Sequence, residues 1–205
     1  MDAVAREELE RNARTLADNN DFSALAALLV RGYGPEILGF LIATHRDEQD
    51  ASDVFSDFSE SIVRGLPQFA WHCSLRTWAY AVARNASHTH RRNTQRRRRR
   101  HLADPVLEDL VEAVRTTTLT FLKTKTKRRL DEIRDALPPD DRELLILRLD
   151  RGLDWNDLAV ALHEGEETLA GDALKRESAR LRKRFQLLKD RLREMARREG
   201  LLGDE

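Results

Sequence analysis

Apolar residues recur three and four positions apart along most of this chain, and that spacing constrains the fold more than any other feature. Leu181, Phe185, Leu188 and Leu192 stand at i, i+4, i+7 and i+11, one stripe of a long helix expected over 178–198. Ile37, Leu38, Leu41 and Ile42 keep helical spacing, as do Val54, Phe55, Phe58, Ile62 and Val63. Nine glycines and five prolines in 205 residues leave little material for the tight turns of a β protein. The expected class is all-α, divided into two small helical domains. No apolar run approaches the ~20 residues that span a bilayer, so no membrane insertion is expected. The stretch from Met1 to Glu8 lacks a basic start followed by an apolar core, so no signal peptide is expected. Cys73 is the single cysteine, which excludes an internal disulfide framework and fits a reducing cytoplasm.

Charge is the second constraint. There are 36 basic and 36 acidic side chains, and charged residues make up 35% of the chain against ~25% in an average domain. Net neutrality hides a segregation. Residues 1–60 hold 13 acids and 5 bases, whereas residues 61–103 hold ten arginines and no acid. A neutral sum argues against a polyanion as partner, but a segment with ten cations and no anion argues for one.

The chain then divides as follows. A charged, weakly amphipathic extension, 1–21, has Val4, Leu9 and Leu16 as its apolar points and reads as a short packed helix or an acidic arm. A first domain, 22–100, starts with Leu25, Leu28 and Leu29 on one face, which Gly32-Tyr33-Gly34-Pro35 is expected to break. Gly65 and Pro67 end its acidic helix, and Phe69, Trp71, Trp78 and Tyr80 follow. Residues 101–127 read as a linker with a helix around 106–114. A second domain, 128–198, has Leu130, Ile133 and Leu137 on a face ending at Pro138-Pro139. A helix begun by Asp140 and Asp141 buries Leu144, Leu145, Leu147 and Leu149 and stops at Gly152. Asp154 caps a short helix over 155–162 with Leu158, Ala159 and Leu162 inward, and residues 199–205 form a tail.

Two constellations suggest chemistry. The stripe of the last helix leaves Arg180, Arg182, Lys183 and Arg184 on its other side, an arrangement a DNA major groove accepts; an ordinary solvated helix has the same pattern. In the acid-free stretch, Phe69, Trp71, Trp78 and Tyr80 lie among Arg64, Arg76, Arg84, Arg91 and Arg92. Rings interleaved with cations suit unpaired nucleic acid, with bases on the rings and phosphates on the guanidiniums. Trp78 reads as core and Trp71 as more open. His72, Cys73, His88 and His90 make a weak zinc set, because His88 and His90 are two apart and face different sides of a helix. No glycine-rich phosphate loop or nucleophile motif is present, so no cofactor, metal or catalysis is expected.

The order of parts resembles a bacterial RNA polymerase sigma factor of the extracytoplasmic-function group. The residues that carry the likeness are the acidic run Asp50-Ala51-Ser52-Asp53-Val54-Phe55-Ser56-Asp57-Phe58, then Leu66-Pro67-Gln68-Phe69, then Leu75-Arg76-Thr77-Trp78-Ala79-Tyr80-Ala81-Val82-Ala83-Arg84-Asn85 with Arg91-Arg92. Further on stand Leu137-Pro138-Pro139-Asp140-Asp141-Arg142-Glu143-Leu144, Leu158-Ala159 and Leu181-Arg182-Lys183-Arg184-Phe185. The resemblance implies a region 2-like domain and a region 4-like helix-turn-helix domain joined by a linker. It implies that Asp53, Val54, Phe55 and Asp57 dock on core polymerase. Gln68, Phe69, Ala70, Trp71 and His72 would capture a flipped base of the −10 element. Arg76, Arg84, Asn85, Arg91 and Arg92 would lie along that strand, and Arg180, Arg182, Lys183 and Arg184 would read the −35 element.

The chain departs from the family pattern in places. His163 stands where a glycine is usual, Ser56 where a glutamine is usual, and 163–178 reads as an acidic insertion. Starting the recognition helix at Thr168-Leu169 instead would place Arg176 and Arg180 on the packing stripe. The implied function is a cytoplasmic, nucleoid-associated promoter-specificity subunit that binds core RNA polymerase and promoter DNA, melts one element, and is held by an anti-sigma partner. The alternative is a helix-turn-helix regulator that works without polymerase.

Overall fold

The computed structural model describes residues 1–92, 105–123, 134, 136–165 and 168–198. They form helices joined by short connections, in two compact units, Met1–Leu122 and Lys123–Glu205. The arginine run 96–100 and the residues Leu130 and Ile133 lie outside the described residues.

In the first unit, α1 (Ala3–Asp18) packs on α2 (Phe22–His45), and α2 in turn packs on α3 (Glu48–Gly65) and α4 (Leu75–Arg92). A 3₁₀ turn, Leu66–Gln68, leaves α3, and α5 (Pro105–Lys123) completes the unit. Aspartates begin three of these helices: Asp2 accepts the Ala5 N–H at 2.8 Å, Asp21 that of Ala24 at 3.0 Å and Asp47 that of Asp50 at 2.7 Å. The core is built on α2, whose Leu25, Leu29, Val30, Tyr33, Ile37, Leu38, Phe40 and Leu41 are fully enclosed. That helix is long and apolar enough to cross a membrane. Its apolar side chains are instead covered by α1, α3 and α4, as in the central helix of a bundle.

Several expectations change here. Gly32-Tyr33-Gly34-Pro35 does not break α2, which runs through it. Pro35 sits on the exposed side, while the two glycines are places of close approach. A Cβ at Gly32 would meet Leu9 Cδ1 at 2.0 Å, and one at Gly34 would meet Val114 at 3.2 Å and Phe55 at 3.4 Å. The motif therefore makes room for α1 and α5. The extension is a packed helix with Leu9 and Ala13 buried, whereas Val4 points to solvent. The helix expected inside the linker is longer than 106–114 and belongs to the first unit. It buries Leu107, Val111 and Val114, and Arg115 donates from Nε to Ser52 Oγ at 2.6 Å. On α3, Val54, Phe55, Phe58 and Ile62 are core, but Val63 is exposed.

The second unit begins its described helices with α6 (Pro139–Leu145), which continues as a π-type turn over Ile146–Asp150. The wider turn rotates the apolar face. Ile146 joins Leu144, Leu145 and Leu147 in the core, and Leu149, expected inside, is exposed. Gly152 takes φ +66, the left-handed value that lets the chain leave the helix. Asp154 then accepts from the N–H groups of Asn156 and Asp157, both at 2.8 Å, and starts α7 (Trp155–Ala161). The last helix, α8 (Gly171–Arg198), begins seven residues earlier than expected and packs on α7 through Ser178, Leu181, Phe185 and Leu188.

Candidate nucleic-acid interface

The aromatic loop lies between the 3₁₀ turn and α4. Side chains alternate along it: Gln68, Ala70 and His72 are exposed, and Phe69 and Trp71 are half-buried. Phe69 is the middle of a column, its ring 4.9 Å from Trp78 in a stacked pose and 4.7 Å from Trp71. Trp78 is thus half-buried rather than core, and Gly65 lies against it, since a Cβ there would meet the indole at 2.9 Å. Trp71 holds φ +58, a backbone state rarely adopted by an aromatic residue, and the Arg14 guanidinium lies over its ring at 4.8 Å. The rings expected to receive a base are therefore partly engaged with one another, and Gln68 and His72 are the side chains that face outward.

The arginines of α4 divide by burial. Arg76 is buried, and its guanidinium forks onto Glu36 of α2, Nε to Oε1 at 2.7 Å and Nη2 to Oε2 at 3.2 Å. Burial opposes its charge, but the bonded Glu36 carboxylate outweighs that and holds the guanidinium pKa above its ordinary value. Arg84 is also buried. Both are enclosed in this structure rather than on its outward surface, and Arg76 fastens α4 to α2. Asn85 and Arg92 are exposed and Arg91 half-buried, so the outward polar surface of α4 is at its middle and end. His72 precedes α4 and His90 is near its end, about 27 Å apart along an 18-residue helix, too far to share an ion. His90 stands instead edge-on to His45 at 5.8 Å, with Nε2 3.5 Å from Asp50.

The polymerase-facing expectations divide similarly. Val54 and Phe55 are fully buried and support α3 from within. Asp53 and Asp57 are on the half-buried outer side, Asp53 accepting from Gln49 Nε2 at 2.8 Å. Glu60 stands 3.7 Å from Arg64 further along the same helix.

In the second unit, the Ser178 hydroxyl donates to the Trp155 carbonyl at 3.1 Å and lies 2.9 Å from Asn156 Oδ1, fastening α8 to the start of α7. Arg180, Arg182 and Lys183 are exposed. Arg184 is half-buried and bonded to Asp141 at 2.8 Å, which takes it out of the outward set. Arg182 lies over Trp155 at 5.7 Å and Arg148 over the same ring at 4.6 Å. The earlier start of α8 adds residues that sequence reasoning missed. Lys175 and Arg176 are exposed in its first two turns, and Arg176, Arg180 and Lys183 stand at i, i+4 and i+7. Arg176 and Arg180 are not on the packing stripe, so the objection to a short turn falls, and 171–178 is helix rather than an inserted loop.

Comparison with known proteins agrees with the first unit's layout. The family model described as Sigma-70 region 2 matches residues 29–97. An RNA polymerase sigma-H factor of Pseudomonas aeruginosa is 27% identical over 143 residues, covering 66% of this chain and 73% of that one. No solved structure matches. With a region 2 match on the α2–α4 frame and a sigma factor similar to it over 66% of its length, the chain carries a sigma-70 region 2 and is similar to the bacterial RNA polymerase sigma factors.

Proposed function

We propose that this chain is a promoter-specificity subunit of the extracytoplasmic-function group, which binds core RNA polymerase, reads −10 and −35 elements and melts the first. It works in the cytoplasm, on the nucleoid through polymerase, and catalyses nothing itself. The observation that carries this reading is the loop Gln68–His72 of the region 2 match, with polar side chains facing outward on a stacked aromatic support. Base extrusion costs a few kcal/mol, and a loop ordered in advance loses little of its binding energy to its own ordering.

Asp53 and Asp57 form the docking face for polymerase. Gln68 and His72 contact the extruded base, Phe69 and Trp71 support them, and Asn85, Arg91 and Arg92 follow the strand. In the second unit, a region 4-like helix-turn-helix, α8 enters the major groove with Lys175, Arg176, Arg180 and Lys183 facing the −35 element. Arg182, on Trp155, contacts a phosphate. Residues 1–122 make one domain in this reading and 123–205 the other. An anti-sigma partner would have to cover the α3 docking face or one of these DNA-facing surfaces.

Run-off transcription tests this, with purified core polymerase and a pool of promoter-length duplexes randomised at both elements. Selective transcripts are expected only when the chain is added. Duplex binding without holoenzyme formation would instead favour a polymerase-independent regulator. Asp53→Arg should abolish core binding with helicity intact, and unchanged affinity would remove α3 from the docking face.

A further inference from the structure

One carboxylate joins three helices beside the aromatic loop. Glu10 lies in α1, outside the residues that match region 2. Its Oε1 accepts the Tyr33 hydroxyl at 2.8 Å and the Arg76 N–H at 3.1 Å, and its Oε2 accepts the Leu75 N–H at 2.9 Å. Those two amides open α4, where N–H groups have no partner inside the helix and a negative charge is favoured. One turn further along α1, Arg14 reaches the Trp71 ring. Thus α1 holds the loop's far end through Glu10 and its middle through Arg14. The middle is where the backbone takes φ +58, a state that persists only when its surroundings hold it.

We infer that α1 is part of the single-strand-reading site, with Glu10 and Arg14 as positioning residues that hold the loop in its reading conformation before DNA arrives. The inference rests on the role given to the loop above. It assigns a task to a segment that contributes only Leu9 and Ala13 to the core. Arg14 occupies ring surface that would otherwise be open to water, and Glu10 bonds the backbone rather than a side chain of α4. Both interactions therefore fix geometry without consuming the outward groups of Gln68 and His72.

The test uses holoenzyme assembled from the full chain and a promoter selected by the wild-type holoenzyme from the randomised pool. Three quantities are measured: core affinity, closed-complex affinity, and the rate of strand opening from permanganate reactivity of unpaired thymines. Arg14 is exposed, so Arg14→Ala leaves the fold intact. Opening is expected to slow about two- to fivefold, the scale of an exposed cation–π contact. Arg14→Lys should recover most of that rate. Glu10→Ala should slow opening about tenfold by leaving the bonded groups without their acceptor, with Glu10→Gln between it and wild type. In all four variants core and closed-complex affinities should stay near wild type. Unchanged opening in both alanine variants would overturn the inference, as would a fall in core affinity that tracks the loss of opening. Should wild-type holoenzyme open no selected promoter, the reading of the loop itself fails, and the role of α1 with it.

Discussion

Tyr33 of α2 lies against α1 with its hydroxyl on Glu10, fully enclosed. Burial and then the neighbouring carboxylate push its pKa far above the ordinary tyrosine value. The sign of the consequence is fixed. Below about pH 10 both folded and unfolded chains keep the phenol proton; above it only the unfolded chain releases it, so stability falls as pH rises. Melting temperature is expected to drop between pH 9.5 and 11, and Tyr33→Phe should flatten that drop; an identical slope in the variant would place the alkaline loss elsewhere. The Arg76–Glu36 fork works in the same unit. Glu36→Gln leaves a buried guanidinium with half a partner and should cost about 2–3 kcal/mol by urea unfolding. A double variant, Glu36→Gln with Arg76→Met, should lose less than the two single losses combined, because the stranded charge goes too.

Among the elements, α2 shows how local spacing is read easily and close approach is not. Its apolar periodicity is plain in the sequence, yet Gly32 and Gly34 look like punctuation until the neighbours that lie against them are known. Gly32→Ala should displace Leu9, lower stability by about 1–2 kcal/mol and speed amide exchange in α1 before the other helices. Exchange rising uniformly over the unit would contradict that packing. Capping was legible at Asp154 and the stop at Gly152, because each acts on residues two or three positions away. The roles of Glu10 and Glu36 were not. Their partners stand 65 and 40 positions down the chain, and a charge pattern does not reveal which cations are buried. Val54 and Phe55 teach the converse: their spacing with Phe58 and Ile62 marks them as core, and they are fully buried. The π-type turn at Ile146–Asp150 shifts phase by less than a residue-type pattern can register, and Leu149 was misplaced for that reason.

For the whole molecule, charge segregation survives inside each unit rather than between them. Residues 1–122 hold 16 bases and 17 acids, and residues 123–205 hold 20 and 19. Neither unit is a polycation, so attraction to a nucleic acid must come from where the cations cluster. Residues 1–122 alone are expected to bind single-stranded DNA with a log affinity that falls against log salt with a slope of at least about 2 in magnitude. A slope near zero would mean that the acid-free stretch is not in contact with phosphates.

The place of α5 decides where the first unit ends. Because Leu107, Val111 and Val114 of that helix are buried and Arg115 bonds Ser52, the stretch from Pro105 onward is a wall of the unit. A chain cut before Pro105 would keep every residue matched to region 2 yet leave Gly34 without the Val114 side chain that lies against it, so water would enter the core there.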